Sequence, residues 1–272
     1  MKTVIEGMTG SSMKAKKIRK DEVVKKNKNK EPLLKVKNVS FGQKLSDVSF
    51  ELYPGEVLGI AGLTGSGRTE LLESIYGINR LDKGDIFVNG KKISFITPRQ
   101  SLEIGISLVP DERQVKGLVV NHSVSENIVL PIIDKMRNVL FLDVNKIFNI
   151  VKNMIKKLRI VVADTNQAVI SLSGGNQQKV VIAKSFSAGS NIILMDDPTL
   201  GIDVESKQEV IEIARKFVVP GENGVVIVSS ELEVIEDICD RVLIMKKGEI
   251  VDELENTINE RITENKLMSL IQ

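Results

Sequence analysis

The sequence has one cysteine, Cys239, one histidine, His122, no internal repeat and no long apolar run. A single cysteine cannot close an internal disulfide, so a disulfide-stapled scaffold is excluded and a reducing compartment fits. No stretch approaches the roughly 18 apolar residues that span a bilayer. The first residues lack the apolar core of a signal peptide. What is present is ordinary for a globular protein: 42% hydrophobic and 27% charged among 272 residues, enough for one large domain or one domain with a small lobe.

The net charge of +2 hides an asymmetry. Up to Lys30 ten bases face three acids, a net +7, so the remainder carries −5. Basic character confined to a tail, with an acidic body, argues against nucleic acid as a partner. The tail, residues 1–30, reads as a solvated linker; attraction to anionic lipid headgroups is the other reading.

From Leu33 the pattern changes. "LLKVKNVSF" and "LSDVSFEL" alternate as strands do, "YPGE" turns the chain, and "VLGIAG" reads as a buried strand. "TELLESIYG" follows with helical spacing and Gly77 as its C-cap. Later "NIILMD", "GVVIVSS" and "RVLIM" read as buried parallel strands. Helices are expected near 174–187, 205–217 and 231–238. Cys239, in the helical-looking run "ELEVIEDICDR", is expected in the core. The alternation predicts an α/β core with a mostly parallel sheet. "SVSENIVLPIIDK" and "VNKIFNIVKNMIKKL" read as consecutive helices of a lobe inserted into that core. His122, in the lobe, is expected to be structural or on the surface.

"GLTGSGRTELL" fits the phosphate-loop pattern G-x-x-x-x-G-K-[ST], between a strand and a helix, except that Arg68 stands for lysine. Gly62, Gly65 and Gly67 would let the N–H groups of Leu63, Thr64, Ser66 and Glu70 wrap phosphate at a helix N-terminus. Thr69 would give an oxygen to a metal ion. A strand-to-helix turn without ligand is the bland alternative. A dinucleotide fingerprint is weaker, because Glu70 fills its third glycine position. "NIILMDD" is an apolar strand ending in Asp196, placed to hold Mg²⁺, and Asp197, which would face an attacking water. "LSGGNQQK" sets Ser173, Gly174 and Gly175 at a second anion-binding helix start.

Taken in order, these motifs resemble an ATP-binding cassette (ABC) domain over about residues 33–252. In that resemblance residues 62–69 are the Walker A loop, 172–176 the signature, 192–196 the Walker B strand, and "PTLGID" the D-loop with Asp203. The resemblance implies a P-loop core with a mostly parallel sheet, an antiparallel β subdomain and an inserted helical subdomain at about 112–172. The cassette would span 31–254, with a C-terminal helical tail at 255–272. The variations resemble the C-terminal cassette of tandem sugar importers of the ribose, galactose and xylose type. "TVIEGMTG" is similar to the end of a first cassette and "ITENKLMSLIQ" to a native C-terminus.

The family implies ATP and Mg²⁺ as cofactors, a second cassette as partner, integral permease subunits, and indirectly a sugar-binding protein. The location implied is the cytoplasmic face of the cell membrane. Cassettes of this family pair head to tail, so each nucleotide lies between one Walker A loop and the other signature. In the first site Asp197 stands where a glutamate polarises water, Ser230 at the switch-histidine position, and Asp111 at the Q-loop glutamine, where it could also reach the metal with Thr69 and Asp196. Asp111 near phosphate would repel unless Mg²⁺ or Arg113 intervenes. Phe41 is the candidate for stacking on adenine, with a core phenylalanine as the alternative. These departures predict a site that holds nucleotide and hydrolyses it poorly. In the second site Ser173, Gly174, Gly175, Asn176 and Asp203 would complete the nucleotide held by the partner. A soluble cassette of translation or DNA repair, or a regulatory cassette, are the other classes weighed. The acidic body, short lobe and lack of a coiled-coil insertion argue against the soluble class.

Overall fold

Residues 57–61 carry no charge, and a strand of that composition is stable only if both faces are covered. In the computed structural model they form β3 (Val57–Ala61), every residue of it buried. The structure describes residues 30–93, 97–137, 141–257 and 261–272. The basic tail, apart from Lys30, lies outside them.

β3 is part of a six-stranded sheet of order β10-β9-β3-β8-β7-β6. Its members are β6 (Ile106–Val109), β7 (Ile192–Asp196), β8 (Gly224–Val228), β9 (Arg241–Lys246) and β10 (Glu249–Glu255). All neighbours run parallel except the edge pair β10 and β9. Side chains alternate faces with period two. Val57, Ile193, Val225 and Val242 enter one core, and Leu58, Leu194, Val226 and Leu243 the other.

The second core is closed by an antiparallel sheet of order β2-β1-β4-β5, formed by β1 (Leu34–Phe41), β2 (Leu45–Leu52), β4 (Lys83–Val88) and β5 (Lys91–Ile93). Leu71, Leu72 and Ile75 of α1 (Arg68–Tyr76) join it. The first core is covered by α5 (Gly174–Ser187), α6 (Val204–Phe217), α7 (Leu232–Ile238) and α8 (Glu264–Ile271).

Among the described residues, the elements between β6 and β7 are all helical: a π-helical turn (Arg113–Gly117), α3 (Val124–Val129), a 3₁₀ turn (Leu130–Met136), α4 (Val144–Leu158), a short 3₁₀ turn (Val169–Ser171) and α5. α3 starts at a capping box between Ser123 and Glu126. It gives way to 3₁₀ geometry because Pro131 has no N–H to continue the ladder. α2 (Pro98–Glu103) precedes β6.

The strands and helices expected at the phosphate loop and after residue 173 are present. Two boundaries differ: the tail expected to be helical over 255–272 is still strand at Glu255, and its helix is Glu264–Ile271. α7 stops at Ile238, and Cys239 is extended, with ψ 140°. Cys239 is buried as expected, and a Cβ on Gly59 would come within 2.7 Å of its Sγ. The missing side chain at Gly59 therefore makes room for the thiol. His122 is exposed in the turn before α3.

Candidate phosphate-binding sites

Strand order places the chemistry. β8 lies between β3 and β7, so the loop after β3, Ser229 after β8 and the carboxylates ending β7 meet at one sheet edge. This is where open parallel sheets bind ligands.

The loop is braced from two sides. Gly248 N–H donates to the Ser66 carbonyl at 2.9 Å, and a Cβ on Gly62 would overlap the Met245 carbonyl oxygen. Gly67, the N-cap of α1, has φ 103°, a conformation that favours glycine. A Cβ there would also come within 2.6 Å of the Lys44 carbonyl oxygen, in the β1–β2 turn. Phe41, at the start of that turn, is half-buried against the second core. Leu63, Thr64 and Gly65 are exposed, and Glu70 pairs with Lys44 at 3.3 Å.

Arg68 is only 7% exposed, and its Nη1 donates to the Ser229 carbonyl at 2.9 Å. Burial lowers its pKa, opposed by the charges of Asp197 and Asp196. Burial pushes Asp196 up to about 6, partly countered by the Thr69 side chain. Ser66 Oγ and Asp196 Oδ1 are buried without a hydrogen-bond partner. Ser74 Oγ, Arg113 Nε and Asp240 Oδ1 share this state away from the loop, and such an atom can be met by water or by a ligand. A hydroxyl and a carboxylate are hard oxygen donors that suit Mg²⁺. Among the described residues no group of three or more His, Cys, Asp and Glu side chains could hold a metal. The donor set thus suits a cation that takes most of its ligands from phosphate and water.

Asp197 has φ 40°, unusual for a residue with a side chain. Its Oδ1 accepts from Ser230 N at 2.6 Å and Ser230 Oγ at 2.9 Å. Glu231 then accepts from Thr199 Oγ1 at 3.3 Å and from Lys207. Lys116 Nζ lies 3.2 Å from Asp111 Oδ1 and from Glu73 Oε1. Burial alone would lower Lys116, but its bonds to Asp111 and Glu73 raise it above the usual lysine range.

At the start of α5, Ser173 Oγ accepts from the Asn176 backbone N–H at 3.4 Å and from its side-chain amide at 3.0 Å. Asn176 Oδ1 accepts from Val161 N–H at 2.8 Å. A Cβ on Gly175 would overlap Ser206 Oγ. Asp203 caps α6, accepting from Ser206 N at 3.0 Å and Ser206 Oγ at 2.8 Å.

This geometry has a counterpart in known proteins. The family model described as "ABC transporter" matches residues 45–200. The chain belongs to the ABC transporter family. It is 38% identical over 257 residues to the ribose import ATP-binding protein RbsA of Clostridium tetani, covering 94% of this chain and 50% of that protein. It is 40% identical over 223 residues to RbsA 3 of Rhizobium meliloti, covering 82% and 44%. The chain spans about half the length of the curated relatives it matches. An ATP-binding cassette dimer bound to ADP and Pi superimposes with a TM-score of 0.71 at 24% identity, covering 82% of this chain and 98% of that one. A nucleotide-free cassette gives 0.71 at 21%, covering 89% and 95%.

In this cassette the residues expected at the loop site, Thr69, Asp196, Asp197, Ser230 and Asp111, do come together. One expectation needs correction. Arg113 does not neutralise Asp111; its guanidinium donates to the Leu200 and Gly201 carbonyls, and Lys116 takes the carboxylate. The Asn176 amide makes one bond at its oxygen and one at its nitrogen within the chain. Sequence reasoning also passed over Ser229 and Glu231, which act through contacts that no spacing announces. Among the described residues no helix is long and apolar enough to cross a membrane.

Proposed function

We propose that this chain is the ATP-binding half of a monosaccharide ABC importer. Its own loop holds nucleotide with weak turnover, and its signature completes the site of a second cassette. The observation that carries this reading is that Ser66 Oγ and Asp196 Oδ1 are buried without partners at the loop corner, while the Ser173 and Asp203 side chains are hydrogen-bonded at the second end of the same chain. The ribose import names of the relatives support the substrate class.

The amides of residues 62–69 and the α1 N-terminus would bind phosphate, and Ser66 Oγ has the free capacity to join them. Thr69 and Asp196 would hold Mg²⁺, which when bound neutralises phosphate charge. Asp197 would orient water. Its carboxylate is one methylene shorter than glutamate and is already held by Ser230, and a misplacement of about 1 Å can cost ~10²-fold in rate. Phe41, beside the turn that touches Gly67, would meet the base. Ser173 and the N–H groups of Gly174 and Gly175 would face phosphate on the partner cassette.

A groove of about 880 Å³ lies between α1, α2, β6, the π-helical turn and α5, lined by Tyr76, Leu102, Leu108, Leu130 and Val181 among others. Its apolar walls suit an amphipathic helix of a permease at the cytoplasmic face of the membrane. A sugar-binding protein would act through that permease.

Steady-state ATPase of the chain, measured with nucleotide binding, tests the reading. Binding with turnover far below a typical ~10 s⁻¹ is expected, and turnover at that level would overturn it. Arg68, Asp197 and Ser230 also favour a second reading, a regulatory cassette. Co-purification with a hydrophobic permease separates the two from a soluble role.

A further inference from the structure

The π-helical turn Arg113–Gly117 touches three regions at once. Lys116 and Gly117 line the groove. Lys116 also bridges Asp111 and Glu73 beside the loop corner. Arg113 reaches the far end: Nη1 donates to Leu200 O at 2.9 Å and Nη2 to Gly201 O at 3.1 Å. A Cβ on Gly174 would sit 2.9 Å from the same Nη2. Gln114 Nε2 adds a bond to Gln177 Oε1 at 2.9 Å, and Gln177 Nε2 holds the Leu172 carbonyl at 3.1 Å.

We propose that Arg113 is a positioning residue that sets the D-loop backbone against the signature glycines, and carries movement of the groove-lining turn to the site completed on the partner cassette. The second clause rests on the importer reading; the first does not. A guanidinium fits the task because its rigid fork grips two consecutive carbonyls at once. An ammonium is a point donor and fixes neither the direction of the backbone nor its spacing from Gly174. The grip is on main chain, so it acts whatever side chains the D-loop carries. Lys116, three residues on, gives the same turn a hold on this chain's own site. A shift of one short turn would therefore be felt at both phosphate ends.

Hydrogen exchange on the full chain decides the positioning role. In Arg113→Ala the amides of Asn176 and Leu200, bonded to Ser173 Oγ and the Asp197 carbonyl, should exchange about 10-fold faster, while those of 62–69 keep their wild-type rates. Arg113→Lys should restore less than half of the lost protection. A uniform rise that includes β3 and β8 would reduce Arg113 to a general brace and overturn the proposal, as would unchanged rates at Asn176 and Leu200. The coupling is read in the assembled transporter from a cycle of Arg113→Ala with Leu130→Glu in the groove. The double variant should lose no more permease-stimulated ATPase than the worse single variant, and additive losses would overturn the coupling. A wild-type assembly without stimulated ATPase would count against the importer reading, and the exchange result would still decide the positioning role.

Discussion

At the loop end, Ser66 Oγ and Asp196 Oδ1 are buried without partners, and burial pushes Asp196 up to about 6. At the signature end, Ser173, Asn176 and Asp203 all hold hydrogen bonds within the chain, and the backbone N–H of Ser206 draws Asp203 below the usual carboxylate range. The first end carries unmet polar demand, which a ligand can satisfy. At the second the side chains of Ser173, Asn176 and Asp203 are engaged within the chain, and the one buried side-chain atom without a partner there, among the described residues, is Nε of the neighbouring Arg113. The two ends, both proposed to meet phosphate, thus differ in how far their polar side chains are engaged within the chain.

The largest effect should come from filling the signature end. Ser173→Arg should lower ATPase of the assembled protein by about 10²-fold or more, with nucleotide binding by the isolated chain unchanged; retained turnover would remove the signature from the chemistry. At the loop end, the folded state holds the Asp196 proton to about pH 6, whereas an unfolded carboxyl releases it near 3.8. Stability is therefore lost as pH rises through that interval. Without metal or nucleotide, Asp196→Asn should raise stability at about pH 7.5 by ~1–3 kcal/mol, and the gain should vanish below pH ~4. Denaturant titrations at the two pH values check this; equal gains at both would show that Asp196 is not strained by burial.

Gly175→Ala should cost ~1–3 kcal/mol, because its Cβ meets Ser206 Oγ in a closed contact. Thr69→Ala should weaken Mg²⁺-nucleotide binding about 10-fold, or ~1.4 kcal/mol, and metal-free binding much less. Calorimetry with and without Mg²⁺ separates the two. Gly65→Ala should cost least in stability, ~1 kcal/mol, since it has φ 82° and nothing within 4 Å, so only backbone strain opposes the side chain. If Gly175→Ala and Gly65→Ala proved equally mild in thermal melts, the contrast between a packed end and an open end would fail.

Much of this fold could be read from residue order. Apolar runs ending in glycine or aspartate marked β3, β7 and β8, because buried parallel strands need no polar alternation. The hairpin of β4 and β5 went unread although Asn89-Gly90, both at positive φ, is a strong turn signal. β6 is only four residues long and β10 is polar at most positions, so neither carries enough pattern to be read with confidence from spacing. At the site, Thr69, Asp196, Asp197 and Ser230 were legible because motif order carries them. Arg113 was expected beside Asp111, where Lys116 stands, because charge complementarity in sequence cannot tell which of two nearby cations faces a carboxylate.

The sequence by itself determined the loop, the paired carboxylates, the second helix start and the alternation that forces a buried parallel sheet. These follow from local chemistry: glycine where backbone must approach a ligand, aspartate where an apolar strand meets solvent, serine where a helix begins. Only the tertiary structure decided that β8 ends between the loop and the carboxylates. That order gives Arg68 the Ser229 carbonyl and Ser230 the Asp197 carboxylate. It also decided that Arg113 holds the D-loop. Contacts of this kind join residues 33 to 161 positions apart, and no local propensity encodes a meeting at that distance.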